Sequence, residues 1–235
     1  MQFSFVTLFP ELVLPYFQAS ILKRAVDSGL IDVYALNPRE FSTDRHSKVD
    51  RYQAGGGAGQ VMSVQPLDSL LSRIKTKDKE AYIIFPLPAA KPFKQIDAKR
   101  LAKKEHIVFV SGRYEGIDER IIEKYADEVF SIGDFILTGG ELPSVTMCDA
   151  ISRNIPGVLG NADSLDVESF EGSLLEAPAF TKPNIFDKSS IIKEYLKGNH
   201  GKIHALKREL SLQKTKYFRP DLYNKVNSKH LEEKK

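Results

Sequence analysis

Residues 107–142 read IVFVSGRYEGIDERIIEKYADEVFSIGDFILTGGEL, short apolar runs each thrown into a glycine turn. Residues 107–110 are apolar at every position, the pattern of a strand covered on both faces rather than one. Ser111-Gly112 breaks that strand, and Arg113, Tyr114 and Glu115 fall in the loop beyond it. Asp118 and Glu119 stand where the first turn of a helix favours carboxylates, against the positive end of its dipole. A second run, residues 129–132, is turned by Gly133-Asp134. Phe135-Ile136-Leu137 is a third apolar piece, and Thr138-Gly139-Gly140 turns the chain again before a helix opens near Glu141-Leu142-Pro143. Glycine turns just beyond strand ends are where open α/β sheets bind ligands, because backbone donors are free there and side chains do not block approach. Tight turning alone would also account for these glycines.

Strand and helix patterns alternate through the preceding residues. Residues 2–8 read as the first strand, ended by Phe9-Pro10. Leu14, Phe17, Ile21 and Ala25, at spacings of three and four, predict an amphipathic helix over residues 11–28, stopped by Gly29. Residues 31–36 read as a strand, 66–74 as a core-facing helix carrying Leu67, Leu70, Leu71 and Ile74, and 81–85 as another strand. Residues 97–105 and 142–154 read as helices, the latter stopped by Pro156-Gly157. This alternation predicts an α/β fold with a mostly parallel sheet and helices on both faces.

Residues 37–65 break the rhythm. They show little periodicity and hold Asp44-Arg45-His46, Asp50-Arg51-Tyr52 and the run Gly55-Gly56-Gly57-Ala58-Gly59. No strand precedes that run, no GxGxxG is completed and no Gly-Lys-Ser/Thr follows, so it is neither a dinucleotide fingerprint nor a P-loop. A loop this long in a compact domain is functional or mobile. Its glycines suit close backbone approach to a flat base or to phosphates.

The longest apolar runs are strand-sized, so no membrane span is expected. The N-terminus lacks a signal-peptide pattern, and the one cysteine, Cys148, sits in an apolar helical pattern as a buried, inert thiol that fits a reducing cytoplasm. The net charge of +3 hides an asymmetry: residues 182–235 carry 14 Lys and Arg against 6 Asp and Glu, a net of +8, which leaves −5 on the rest. A basic tail on an acidic body fits a polyanionic partner or a merely solvated helical face. Residues 158–172 are polar and acidic, with Asp163, Asp166, Glu168 and Glu171. The expected organisation is a domain over 1–160, a linker over 161–172 and a basic helical domain over 173–235, with helices over 189–197 and 202–214. The five histidines form no metal-ligand pattern: His200 and His204 are four apart with no acid placed as in a zincin.

GRYEGIDER at 112–120 followed by SIGDFILTGGEL at 131–142 resembles the signature of the bacterial tRNA (guanine-37-N1)-methyltransferases, members of the knotted SPOUT class. The likeness continues in LFPE at 8–11, DRH at 44–46, the glycine run at 55–59, SRNIPGVLGN at 152–161, GNHGKI at 198–203 and RPDL at 219–222. It implies a C-terminal trefoil knot in the α/β domain, a small helical C-terminal domain, and transfer of a methyl group from S-adenosylmethionine to N1 of guanosine-37 in tRNA. A homodimer with shared active sites is implied as well, and magnesium is a further family expectation.

Residue by residue, the resemblance implies a cofactor pocket of Pro88, Gly112, Tyr114, Ile132, Gly133, Asp134, Phe135, Ile136, Leu137, Gly139 and Gly140. It implies substrate contacts at Glu115, Asp50, Gly55, Gly56, Gly57 and Gly59, with Lys207 and Arg208 on the tRNA body. Arg153 matches the arginine that faces guanine O6, where a planar, always-charged donor suits a developing oxyanion; a cation capping a helix C-terminus is the plain alternative. Glu115 reads otherwise as a loop salt bridge to Arg113 or Arg120. Glu168 stands where the family carries the aspartate that serves as general base; Asp166 or Asp163 in that role, or a cluster of merely solvated linker acids, are the alternatives. Other departures are Ala54 and Ala58, which replace a tyrosine and a proline, and Leu87-Pro88-Ala89-Ala90, where only Pro88 matches. A methyltransferase for another RNA position and a non-catalytic RNA-binding relative are the rival readings; a nicotinamide-linked oxidoreductase lacks its fingerprint.

Overall fold

The structure, a computed structural model, describes residues 1–161, 168–171 and 174–232. Two compact units divide the chain, Met1–Gly160 and Asn161–Lys235. Asp163 and Asp166 lie outside the described residues.

The first unit is built on a five-stranded sheet ordered β2-β1-β6-β5-β7, with every neighbouring pair parallel. Its strands are β1 (Gln2–Val6), β2 (Asp32–Leu36), β5 (Tyr82–Pro86), β6 (His106–Val110) and β7 (Glu128–Phe130). All five residues of β6 are buried, the four of the apolar run as predicted and His106 beside them. Because side chains alternate across a strand, Ile107 and Phe109 enter one apolar layer and Val108 and Val110 the other. The first layer is closed by α1 (Ser20–Asp27), α3 (Gln95–Leu101) and α5 (Glu141–Ser152). The second is closed by α2 (Val64–Lys77) and α4 (Glu119–Tyr125). Asp118 caps α4, its carboxylate accepting from the Arg120 N–H.

Several expectations for the first unit need correction. The single helix over 11–28 is two 3-10 turns, Pro10–Leu12 and Leu14–Gln18, followed by α1. Pro15 has no N–H to continue an α-helix, and Ser20 at φ 55 re-aims the chain, so Leu22 is buried where Ile21 was expected. Residues 97–105 hold a shorter, earlier helix, α3. Residues 37–65 are more ordered than their lack of periodicity implied: a 3-10 turn at Pro38–Phe41 leads to the antiparallel hairpin of β3 (Asp50–Tyr52) and β4 (Gln60–Met62).

In the second unit, α6 (His200–Phe218) packs against α7 (Pro220–Glu232). Gly198-Asn199 forms the cap of α6 rather than a gap between helices, since the Asn199 side chain accepts from the Lys202 N–H at 3.1 Å. The helix expected over 189–197 is instead a short ribbon, β8 (Ile185–Phe186) with β9 (Ser189–Ser190), then a 3-10 turn at Lys193–Leu196. Asp187 and Lys188 both lie at positive φ, which is what a two-residue hairpin turn requires.

Phe109 lies at the centre of the first layer, its ring 5.4 Å from that of Phe5 and 6.4 Å from that of Phe3. Phe109→Ala should destabilise the first unit by about 3–5 kcal/mol, through lost transfer energy and a residual cavity. Urea unfolding measures this, and a loss under ~1 kcal/mol would contradict the packing described.

Candidate active site

Parallel strands bring their C-terminal ends to one edge of the sheet, and the loops leaving β5, β6 and β7 meet there. Between them lies a cleft of about 430 Å³. Ten of the eleven residues expected to hold the cofactor line it: Pro88, Gly112, Tyr114, Ile132, Gly133, Phe135, Ile136, Leu137, Gly139 and Gly140; Asp134 does not. Phe135, Ile136 and Leu137 are not a third strand. They form an exposed apolar wall, with Ile136 79% exposed. Tyr114 adopts a left-handed backbone at φ 58, a strained conformation of the kind that gathers at functional sites.

Two glycines fix how the loop between β7 and α5 meets the end of β6. The Gly140 N–H donates to the Gly112 carbonyl at 2.8 Å. A Cβ on Gly140 would stand 2.7 Å from the Gly112 nitrogen and 2.8 Å from the Ser111 Cα. Ser144 reinforces the junction, its hydroxyl 2.7 Å from the Gly140 carbonyl oxygen and 3.0 Å from the Ser111 hydroxyl. Gly133 has a different reason to be glycine: it sits at φ 156 with the Phe135 ring folded over it.

Sequence reasoning missed a buried polar group behind this wall. Glu141, the first residue of α5, is 2% exposed. Its carboxylate accepts from the Thr7 hydroxyl at 2.7 Å and lies 2.8 Å from the Arg113 guanidinium. Arg113 in turn donates to the Thr138 carbonyl at 3.2 Å and covers the Phe9 ring at 4.5 Å. The LFPE and GGEL motifs marked both neighbourhoods, yet no local pattern distinguishes this acid from an exposed one at a helix start.

The hairpin docks beside the cleft. The Glu115 N–H donates to the Gln60 carbonyl and the Met62 N–H to the Gly116 carbonyl, each at 2.9 Å. Gly59, at φ 85, leaves room for the Glu115 side chain, whose Cγ would lie 2.5 Å from a Cβ there. Neither salt bridge offered as an alternative for Glu115 forms, since Arg113 pairs with Glu141 and Arg120 with Asp118. Glu115 is exposed and lines the cleft. Gly55, Gly56 and Gly57 all take positive φ in the hairpin loop, and Asp50 pairs with Met62 in its ladder.

The other expected residues lie elsewhere along the chain. Arg153 is the C-terminal cap residue of α5, so a helix of that length separates it from Gly140 by roughly 18 Å at 1.5 Å per residue. Glu168 belongs to the second unit. Lys207 and Arg208 are exposed on α6, where Arg208 joins Lys216 and Tyr223 around a groove of about 250 Å³. Burial pushes the Cys148 thiol well up, as befits an inert side chain. Among the described residues no group of three or more His, Cys, Asp or Glu could hold a metal ion, and no helix is long and apolar enough to cross a membrane.

Gly140→Ala isolates the close approach, because Gly140 has an ordinary φ of −83° and the added methyl meets backbone rather than a flexible side chain. It should lower stability by about 1–3 kcal/mol, as overpacking does. Gly160→Ala, where nothing lies within 4 Å, is the control, and equal thermal shifts for the two would contradict the junction.

A family model described as tRNA (Guanine-1)-methyltransferase TrmD matches residues 1–225. A Sulfurovum sp. (strain NBC37-1) protein named tRNA (guanine-N(1)-)-methyltransferase is 64% identical over 225 residues, covering 96% of this chain and 99% of its own. A protein of the same name from Sulfurimonas denitrificans is 64% identical over 221 residues, 94% of this chain and 96% of its own. Another, from Campylobacter fetus subsp. fetus, is 55% identical over 235 residues, the whole of both chains. With its glycine-built cleft and matches running nearly end to end, this chain belongs to the tRNA (guanine-1)-methyltransferase family.

Proposed function

We propose that the chain methylates N1 of guanosine-37, 3′ of the tRNA anticodon, taking the methyl group from S-adenosylmethionine, and that it works in the cytoplasm as a homodimer whose active sites draw on both chains. The cleft carries this reading. It offers backbone groups and glycines on one side and the exposed Phe135, Ile136 and Leu137 on the other, which fits a ligand with an aromatic base and a polar amino-acid tail. S-adenosylmethionine, when bound, supplies an electrophilic methyl group on a positively charged sulfur.

The chain's own residues must hold the acceptor guanine, take up its N1 proton and steady charge developing on O6. Glu115 lines the cleft with Gly59 against its side chain, and together with Gly55, Gly56 and Gly57 of the hairpin loop they are suited to hold the base. The Glu168 carboxylate accepts the proton as N1 forms its bond to carbon and the carbon–sulfur bond breaks. Arg153 faces O6. Its separation from the cleft along α5 supports a site completed by a second copy, in which one chain's Arg153 serves the other's cleft. Against an aspartate, Glu168 reaches farther by one methylene, roughly 1.5 Å, so either the backbone carrying it sits back by a similar amount or Asp166 or Asp163 takes the proton instead. For magnesium, a family expectation, the described residues supply no group of three or more His, Cys, Asp or Glu.

The path after β7 supports the knotted topology. Ser131 is hydrogen-bonded between Lys91 and Phe93, and the following loop returns past β5 to Gly112 at the end of β6.

Primer-extension mapping of a tRNA transcript incubated with the protein and S-adenosylmethionine should show one new stop, at guanosine-37. A stop elsewhere would favour another RNA position, and no stop with no cofactor binding a non-catalytic relative. Glu168→Gln should lower turnover by roughly 10²-fold or more while both substrates still bind; a near-normal rate would exclude Glu168 as the base. For the basic helix, neutralising Lys207 and Arg208 together should reduce the salt slope of tRNA binding by about 1.5, with cofactor affinity unchanged. An unaltered slope would make those cations a solvated surface only.

A further inference from the structure

We propose that Glu141 sets the charge of the cleft: by holding Arg113 in a neutral pair it lets the cleft accept a sulfonium cation, and so acts as a positioning and specificity residue for the methyl donor. This rests on the reading of the cleft as the S-adenosylmethionine site.

Among the described lining residues Arg113 is the one cation and Glu115 the one anion. Left unpaired, the guanidinium would face a ligand whose sulfur is also positive. At several Å and an effective dielectric near 20, such repulsion shifts a binding constant by roughly tenfold or more. Glu141 removes it from behind the wall, where its buried carboxylate stands 2.8 Å from Arg113 Nε.

The surroundings hold the pair in place from three directions. Thr7 binds the second carboxylate oxygen at 2.7 Å. Thr138 and Phe9 engage the guanidinium. Gly139 lies directly over the contact, since a Cβ there would meet Arg113 Nε at 2.4 Å and Glu141 Oε2 at 2.7 Å. Arg113 Nε and Glu141 Oε2 are buried and their contact is not an aligned hydrogen bond, so charge is what the pair contributes there. A carboxylate in a first helical turn is favoured by the dipole alone, but that plain role requires neither the arginine nor selectivity among ligands.

S-adenosylmethionine and S-adenosylhomocysteine differ by one methyl group and one positive charge, which makes their affinity ratio the readout. Isothermal titration of the full chain with each ligand should show Glu141→Gln losing about tenfold in that ratio against the wild type, because glutamine keeps the size and the Thr7 acceptor but not the charge. Adding Arg113→Gln to that variant should restore the ratio to within about threefold of the wild type, since replacing both partners removes the orphaned charge. Equal weakening of both ligands, or no change in either, overturns the inference, as does a double variant that fails to recover. Should Glu141→Gln not fold, Arg113→Gln alone decides: its preference for S-adenosylmethionine should equal or exceed the wild type's, and a fall overturns the proposal. A wild type that binds neither ligand would instead mean that the cleft reading has failed.

Discussion

The contact between Gly140 and the end of β6 is the constraint on which the site rests. An N–H···O bond of 2.8 Å at a place where no Cβ fits leaves the loop after β7 one way to approach Gly112. It also places the start of α5, and therefore Glu141, beside Thr7 and Arg113. The side of the cleft formed by Gly112, Arg113, Gly139 and Gly140 is thus positioned by backbone contact and a buried carboxylate.

Stability and placement come from different residues. The two apolar layers on either side of the sheet hold Phe3, Phe5, Phe85 and Phe109 at 0% exposure, and a fully buried side chain of that kind contributes about 1.5–3 kcal/mol. A buried ion pair such as Arg113 with Glu141 contributes little net stability, since desolvation offsets most of the attraction. Breaking such a pair is costly, however, and that asymmetry suits it to fixing an arrangement. The layers explain why the first unit folds, and the pair explains why the cleft has the shape and charge that it has.

The site residues fall into groups that no single chain element unites. The cleft and hairpin share the C-terminal edge of the sheet, Arg153 lies at the far end of α5 and Glu168 in the second unit.

How much was legible beforehand follows from the range of each interaction. The apolar run of β6, the alternation of strands with helices and the buried Cys148 could all be read from the sequence, because periodicity reports local burial directly; Asp118, expected in the first turn of α4, proved to be its cap. The glycines at 112, 139 and 140 marked the cleft, although only at Gly140 does backbone stand where a Cβ would go. Three local patterns misled. Spacing of three and four could not reveal that Pro15 breaks the first helix, polarity concealed the β3–β4 hairpin, and Asp187-Lys188 gave no sign of turning a ribbon. What only the tertiary structure decided was which carboxylate is buried. Glu141 meets Thr7 across 134 residues of sequence, and no pattern within one helix or strand records a partner at that distance.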